Sequence, residues 1–280
     1  MGRDDFGKKI IEQFNELEVN LDFLQSNNDS STRVVNVDRD QSGDRFFSGF
    51  EPSLHSCFAD EALSMKLIEK ELLNLEKCFL RTKYLVTGTN VLSSSISAET
   101  IFFLLEQAKK SEVKVVIDLN WREVFWDYSN FASDTSKKGR INLIKNFLNH
   151  AHVIKLAKEE ATLFFEIENP SLISQQMSKR PDVIITDGKN PVSWHINGFQ
   201  GNTKIPKSQK IVDTTGAGDA FLAGLISEFI SFGYPKSELE IQACVRFASA
   251  CGLLTCHGEG AIEPQPDYEK VSKFLGSLIS

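Results

Sequence analysis

The stretch KIVDTTGAGDAFLAGLISEFISFG, residues 210–233, places a glycine-rich turn directly before an apolar helical pattern. Ile211 and Val212 lead, as a short strand or loop, into residues 213–219 (DTTGAGD), which we term the glycine loop. The residues that follow recur at helical spacing and form an apolar face: Phe221, Leu222, Leu225, Ile226, Phe229 and Ile230. Gly233 provides a stop. This order predicts a helix whose N terminus lies at the glycine loop.

Two glycines in this loop would let a ligand approach the backbone closely. We expect Gly216 and Gly218 to lie just before the helix N terminus, where unpaired N–H groups and the helix dipole favour an anion. Asp219 would then sit where a phosphoryl group arrives and would accept the proton of an attacking hydroxyl. The alternative is an ordinary glycine turn closed by an acid, but here two acids bracket Thr-Thr-Gly-Ala-Gly. No Gly-Lys-Ser/Thr follows, so the loop is not a Walker A motif.

Short apolar runs alternate with helical patterns along much of the remaining chain. Strands are predicted at 84–87, 113–118, 152–156 and 182–186, and helical period marks 100–110 and 137–149. This alternation predicts βαβ units and an α/β fold with a doubly wound, mostly parallel sheet flanked by helices.

The N-terminal part is predicted to contain a helix and a small β lid. Apolar residues recur at helical spacing between Phe6 and Leu17. Residues 32–37 and 44–50 are β-prone and flank the turn-forming stretch 38–43 (DRDQSG), which predicts a hairpin or a pair of exposed strands. We expect a single domain over residues 1–280, with the lid, residues 32–50, inserted within it.

The composition argues against several classes of protein. The 280-residue chain has a formal net charge of −7 and dispersed basic residues, so nucleic acid is not an expected partner. No apolar run approaches the roughly 20 residues of a membrane span, and we expect a cytoplasmic protein. The five cysteines form no C-x-x-C pair and are interpreted as reduced structural residues. Lys155 is interpreted as a charge at the end of a strand.

Residues 213–221 (DTTGAGDAF) resemble the C-terminal signature of the ribokinase/PfkB carbohydrate kinase family. Other segments agree with that family in order and spacing: residues 2–7 (GRDDFG), 32–47, 118–126 and 250–261. The last two are similar to its fructokinase branch. The resemblance covers essentially the whole chain. It implies a ribokinase-like kinase that transfers the γ-phosphoryl group of ATP to a sugar hydroxyl, with fructose favoured.

The resemblance implies site residues where the family motifs match. Gly216, Ala217 and Gly218 would form the anion hole for the γ-phosphoryl group, and Asp219 would be the catalytic base. The implied cofactors are ATP, Mg²⁺ and a monovalent cation, usually K⁺. The remaining implied residues are Asp213 and Thr215 for K⁺, Glu160 for Mg²⁺ through water, Thr186, Gly188, Ala250, Gly252 and Gly260 for the nucleotide, and Asn120 and Arg122 for the sugar.

Three departures accompany this match. Pro191 replaces the second glycine of the T-x-G-x-x-G nucleotide segment and has no N–H, so that loop is expected to differ. Ala157 stands where the N-x-x-E motif has asparagine. Family members carry a strand and a Gly-Gly-x-x-x-Asn sugar segment upstream of the equivalent of Gly2. We therefore expect either that the natural chain is longer or that the protein is a shortened relative. We also expect the 280-residue chain to bind ATP far better than it phosphorylates sugar.

Two functions remain open from the sequence. The first is a fructokinase-like sugar kinase, which the intact glycine loop favours. The second is a non-catalytic PfkB-like protein that binds nucleotide or a protein partner, which Ala157, Pro191 and the short N terminus favour. A homodimer formed through the lid is a further expectation.

Overall fold

Helices and strands alternate along the chain, as the sequence pattern predicts. The computed structural model describes residues 1–39, 45–51, 57–127, 137–207 and 211–278. The described helices are α1 (Asp5–Glu16), α2 (Met65–Lys70), α3 (Leu72–Phe79), α4 (Ser95–Lys110), α5 (Val124–Asp127), α6 (Lys137–Leu148), α7 (Lys158–Phe165), α8 (Pro170–Gln176), α9 (Ala217–Phe232), α10 (Glu238–Thr255) and α11 (Tyr268–Ser277). The described strands are β1 (Val35–Arg39), β2 (Arg45–Phe50), β3 (Tyr84–Gly88), β4 (Lys114–Asp118), β5 (Val153–Ala157), β6 (Asp182–Asp187), β7 (Asn190–Ile196) and β8 (Phe199–Thr203).

The chain divides into two compact units. Unit 1 comprises Met1–Val115 and Asn120–Phe147, and unit 2 comprises Val116–Leu119 and Leu148–Ser280. The glycine loop lies in unit 2. The expectation of a single domain over the whole chain stays a prediction.

The main sheet has the strand order β3-β4-β5-β6-β7-β8. Strands β4, β5 and β6 pair in parallel, whereas β6, β7 and β8 pair antiparallel. The four strands predicted from apolar runs correspond to β3, β4, β5 and β6. The predicted α/β fold is therefore confirmed, and its parallel strands lie in the middle of the sheet.

The hairpin of β7 and β8 was missed by the sequence analysis. Asn197 and Gly198 connect the two strands with positive φ angles of 49° and 80°, as a two-residue type I′ turn requires. Trp194 on β7 is buried, and its Nε1 donates to Thr203 Oγ1 on β8 at 2.9 Å. A Cβ on Gly201 would lie 2.6 Å from the Trp194 ring, so glycine makes room for the indole.

Helices α9 and α10 approach each other closely within unit 2. The helix predicted after the glycine loop is confirmed as α9, which ends at Phe232 before Gly233. Its predicted apolar face is mostly buried, but Ile230 is 46% exposed. A Cβ on Gly224 would lie 2.6 Å from Cys251 Sγ, so a glycine permits the approach of α10.

Glu228 on α9 is a buried carboxylate. Its residue is 8% exposed, and its Oε1 has no hydrogen-bond partner among the described residues. Burial raises the pKa of Glu228. The folded protein therefore keeps this proton at pH values at which the unfolded chain has lost it. Stability consequently falls as the pH rises from the ordinary glutamate range through the raised pKa.

We expect Glu228→Gln to raise the melting temperature near pH 8 and to change it much less near pH 5, because the amide has no charge to bury. The expected gain near pH 8 is about 1 kcal/mol, measured by calorimetry at both pH values. Glu12→Gln, at an exposed position in α1, is the control and should change stability by less than about 0.5 kcal/mol. A destabilised Glu228→Gln protein near pH 8 would contradict the account.

Helix α1 begins with a cap that explains the glycines around it. Asp4 is the N-cap residue, and its carboxylate accepts from the Gly7 N–H at 2.8 Å and the Thr32 N–H at 2.6 Å. A Cβ on Gly7 would overlap the Gly2 carbonyl oxygen. The motif at residues 2–7 is thus explained by helix capping and close packing inside unit 1.

The predicted lid corresponds to the antiparallel pair β1 and β2. Val35 lies opposite Phe50, and Arg39 lies opposite Arg45. Most of the turn predicted at residues 38–43 lies outside the described residues. A dimer formed through this lid stays a prediction.

All five cysteines are free thiols. Burial raises the pKa of both Cys244 and Cys251 to about 11, which keeps these two thiols protonated and unreactive at neutral pH. This agrees with their interpretation as reduced structural residues. Among the described residues, every helix is too short or too polar to cross a membrane.

Candidate active site

The glycine loop runs directly into the first turn of α9. Gly216 is the N-cap residue, and its φ of 76° lies in the left-handed region that favours glycine. A Cβ on Gly216 would also lie 2.8 Å from the Ala261 carbonyl oxygen. Ala217 and Gly218 are the first two helical residues, so the prediction that Gly218 precedes the helix was wrong: it is the second residue of α9. The Ala217 N–H donates to the Thr214 carbonyl at 3.3 Å. The next N–H groups of the first turn, those of Gly218 and Asp219, have no acceptor within the helix and are placed to bind an anion.

Asp219 is the third residue of α9, and it is exposed. Its carboxylate therefore stands at the same helix end as the N–H groups of Ala217 and Gly218. A carboxylate at this position is able to accept a proton from a hydroxyl that approaches a bound phosphoryl group. The structure thus brings together the four residues predicted for the transfer chemistry.

Asp213 ties the glycine loop to the loop after α10. One carboxylate oxygen accepts from the Thr215 N–H at 2.9 Å and from the Thr215 hydroxyl at 2.6 Å. The other oxygen accepts from the Gly260 N–H at 3.1 Å. Three residues predicted for cation and nucleotide binding therefore form one hydrogen-bonded cluster.

Helix α10 shapes the site through its packing against α9. A Cβ on Gly252 would lie 2.8 Å from the Ala217 carbonyl oxygen, so only glycine allows α10 this close to the first turn. Ala250 is fully buried in an apolar cluster with Ala220 and Phe247. Both predicted nucleotide residues of α10 therefore support the site by packing, and a direct contact with nucleotide stays a prediction.

Lys155 is buried beside the glycine loop, which its interpretation as a simple strand-end charge missed. Its side chain is 8% exposed, and Nζ lies 2.9 Å from Oδ2 and 3.2 Å from Oδ1 of Asp118. Asp118 ends β4 and lies in register with Lys155 on β5. The opposite charge of Asp118 makes the burial of this ammonium tolerable.

Glu160 combines burial with a capping role. It is the third residue of α7, it is 7% exposed, and its Oε2 accepts from the Ala157 N–H at 2.7 Å. Ala157 contributes only backbone groups at this helix start. The part of Glu160 in holding Mg²⁺ through water stays a prediction.

The predicted nucleotide segment covers the end of β6 and the turn into β7. Thr186 Oγ1 donates to the Leu156 carbonyl at 3.3 Å, and Gly188 is exposed with a φ of 51°. Pro191 precedes the first residue of β7 that is in register with β8. Its missing N–H is therefore accommodated at the irregular start of the strand.

Comparison with known proteins places this chain in a family. Residues 1–268 match the pfkB family of carbohydrate kinases. The chain belongs to this family. A pfkB relative, the fructokinase of Salmonella typhimurium, is 24% identical over 271 residues, which cover 95% of this chain and 81% of the relative. The fructokinase of Vibrio alginolyticus is 25% identical over 284 residues, which cover 99% of this chain and 84% of that relative.

A solved structure supports the same fold. The crystal structure of a fructokinase from Xylella fastidiosa with bound ATP matches with a TM-score of 0.83 at 23% identity, and covers 100% of this chain and 84% of that one. The ribokinase-like fold predicted for a pfkB kinase is thereby confirmed.

Two residues that the pfkB resemblance implies for the sugar lie in unit 1. Asn120 follows β4 and has a positive φ of 43°. Arg122 Nη1 donates to the Trp121 carbonyl at 2.9 Å, and the Trp121 and Trp126 rings stack with centroids 5.3 Å apart. Contact of Asn120 and Arg122 with a sugar stays a prediction.

Proposed function

We propose that this chain is a carbohydrate kinase that transfers the γ-phosphoryl group of ATP to a sugar hydroxyl, with fructose as the favoured acceptor. The observation that carries the proposal is the junction at Gly216–Asp219, where first-turn N–H groups and one exposed carboxylate share a helix end. Membership of the pfkB family and the fructokinase relatives support the reaction and the acceptor.

The two parts of this junction have separate tasks. The N–H groups of the first turn stabilise negative charge on the phosphoryl oxygens, because they are fixed in place before the charge develops. Asp219 accepts the proton of the attacking sugar hydroxyl. The glycines at 216 and 218 permit this arrangement, since side chains there would meet Ala261 and Lys155.

The metal ions would be held mainly by oxygen atoms. No group of three His, Cys, Asp or Glu side chains among the described residues is arranged to hold a metal ion. Mg²⁺ prefers few protein ligands together with phosphate and water, so ATP would supply most of its ligands, with Glu160 acting through water. K⁺ would be held near Asp213 and Thr215, whose carboxylate and hydroxyl oxygens suit a hard cation. Its charge would polarise the neighbouring amides.

We expect activity to depend on potassium. Asp213 links the glycine loop to Gly260, so a cation held there would act on the N–H groups that face the phosphoryl group. Replacing potassium by tetramethylammonium at constant ionic strength should lower kcat about tenfold or more. Equal rates in both buffers would show that the loop works without a monovalent cation.

A panel of acceptors tests the proposed substrate. ADP formation is measured by a coupled assay with fructose, glucose, ribose and fructose 6-phosphate, and fructose should give the highest kcat/KM. A higher value with another acceptor would replace fructose in the proposal. ATP binding without ADP formation from any acceptor would instead support the non-catalytic alternative, which Ala157 and Pro191 favour.

The use of ATP and the free thiols also support a cytoplasmic location. This location and the homodimer both remain proposals. Sedimentation of the purified chain tests directly whether it forms a homodimer.

A further inference from the structure

A buried pair of opposite charges lies next to the first turn of α9. Lys155 and Asp118 come from the adjacent parallel strands β5 and β4, where they are in register. Their side chains are 8% and 7% exposed. Burial of two charges costs free energy, and apolar residues of similar volume often stabilise a fold equally well. Packing alone therefore does not explain why this pair is present.

The Lys155 ammonium reaches the backbone of the glycine loop. A Cβ on Gly218 would lie 2.9 Å from Lys155 Nζ and 4.0 Å from Lys155 Cε, which are its nearest neighbours outside the local backbone of α9. A side chain at position 218 would therefore occupy the space next to the Lys155 ammonium, and glycine leaves that space open. Since Gly218 is itself exposed, the charge lies close to the surface at which an anion would bind.

The ammonium keeps donor capacity after Asp118 is satisfied. A lysine side chain carries three N–H donors, and the two oxygens of Asp118 are its hydrogen-bond acceptors among the described residues. At least one N–H therefore remains for another acceptor. Asp118 fixes the direction of the ammonium, because it holds Nζ through both oxygens.

We infer that Lys155 binds the phosphoryl group that is transferred, and that Asp118 is the positioning residue for its ammonium. The inference rests on the proposed function, since it adds a residue to the same site. In this role the lysine charge stabilises the negative charge that spreads over the phosphoryl oxygens in the transition state. It supplements the N–H groups in the first turn of α9.

The test removes the lysine charge and the opposite charge of Asp118 together. Lys155→Met alone would remove the ammonium that balances the buried charge of Asp118, which is strongly destabilising. The informative protein is therefore the double variant Asp118→Leu/Lys155→Met, because an apolar pair replaces the ion pair. Lys273→Met is the control, since it removes a positive charge from α11, where the Lys273 side chain is 75% exposed.

Two nucleotides that differ in the γ-phosphoryl position give the decisive readout. Titration calorimetry with magnesium measures the affinity of each protein for ADP and for β,γ-methylene-ATP. The double variant should bind ADP within about twofold of wild type and lose about 10- to 100-fold in affinity for the ATP analogue. Its kcat should fall by at least the same factor. The control should match wild type in both titrations.

An unchanged preference for the ATP analogue over ADP in a folded double variant would overturn the inference and leave the pair as structural. If the double variant does not fold, Gly218→Ala provides the second test, because its Cβ would displace the ammonium. If Gly218→Ala prefers the ATP analogue over ADP as strongly as wild type does, the inference is overturned.

The binding readout needs no sugar, so it separates this inference from the proposed function. If wild-type protein uses Lys155 to distinguish the analogue from ADP but phosphorylates no sugar, the proposed function fails and the inference holds. If wild type and the double variant phosphorylate fructose equally well, the proposed function holds and the inference fails.

Discussion

Replacement of Asp219 by asparagine is expected to lower kcat by a factor of about 10² to 10⁴, the usual contribution of a positioned general base. This corresponds to about 3 to 5 kcal/mol of transition-state stabilisation. The amide keeps the size of the side chain but cannot accept the proton of the sugar hydroxyl. Because the N–H groups of the first turn are backbone groups, nucleotide affinity should change little. Steady-state kinetics and titration with ADP measure the two effects separately.

The control for this change is another exposed acid in the first turn of a helix. Glu269 lies in the first turn of α11, and its side chain is 75% exposed. Glu269→Gln should leave kcat within about twofold of wild type, because it lies outside the glycine loop. An Asp219→Asn protein with near wild-type kcat would remove Asp219 from the mechanism.

Gly252→Ala is expected to damage the site by pushing α10 away from the first turn of α9. The new Cβ would lie 2.8 Å from the Ala217 carbonyl oxygen, so α10 and the first turn of α9 must separate. Overpacking of this kind costs about 1 to 3 kcal/mol, which outweighs a gain of up to about 1 kcal/mol in helix propensity. Displacement of the first turn should also lower kcat by about tenfold or more, since misplaced groups lose catalytic effect steeply. Thermal melts and steady-state kinetics measure both consequences.

The chain offers a matched glycine for comparison. Gly276 lies within α11, and a Cβ there would meet no atom within 4 Å. Gly276→Ala should therefore raise stability slightly and leave kcat unchanged. A Gly252→Ala protein that is as stable and as active as Gly276→Ala would show that α10 does not constrain the first turn.

Local patterns in the sequence predicted the elements that short-range physics determines. The helix after the glycine loop, its stop at Gly233 and the parallel strands β4 to β6 all follow from apolar periodicity and glycine position. The hairpin of β7 and β8 has a local signal in Asn197 and Gly198, a pair typical of tight type I′ turns.

Contacts between distant residues could not be predicted from local patterns. Asp213 bonds to Gly260, 47 positions away, and Lys155 meets Asp118 across 37 positions. Register between neighbouring strands places the second pair together, and no spacing along the chain encodes that register. The burial of Lys155 and its approach to Gly218 therefore emerged only from the fold.

Phosphorus NMR of the purified chain with Mg·ATP and fructose is the most direct test of the central claim, which is phosphoryl transfer at the Gly216–Asp219 junction. The account predicts that a sugar phosphate ester and ADP appear in equal amounts, and that Asp219→Asn slows both signals together. Formation of ADP with inorganic phosphate and no ester would contradict transfer to the sugar. Equal ester formation by wild type and Asp219→Asn would contradict the assigned site.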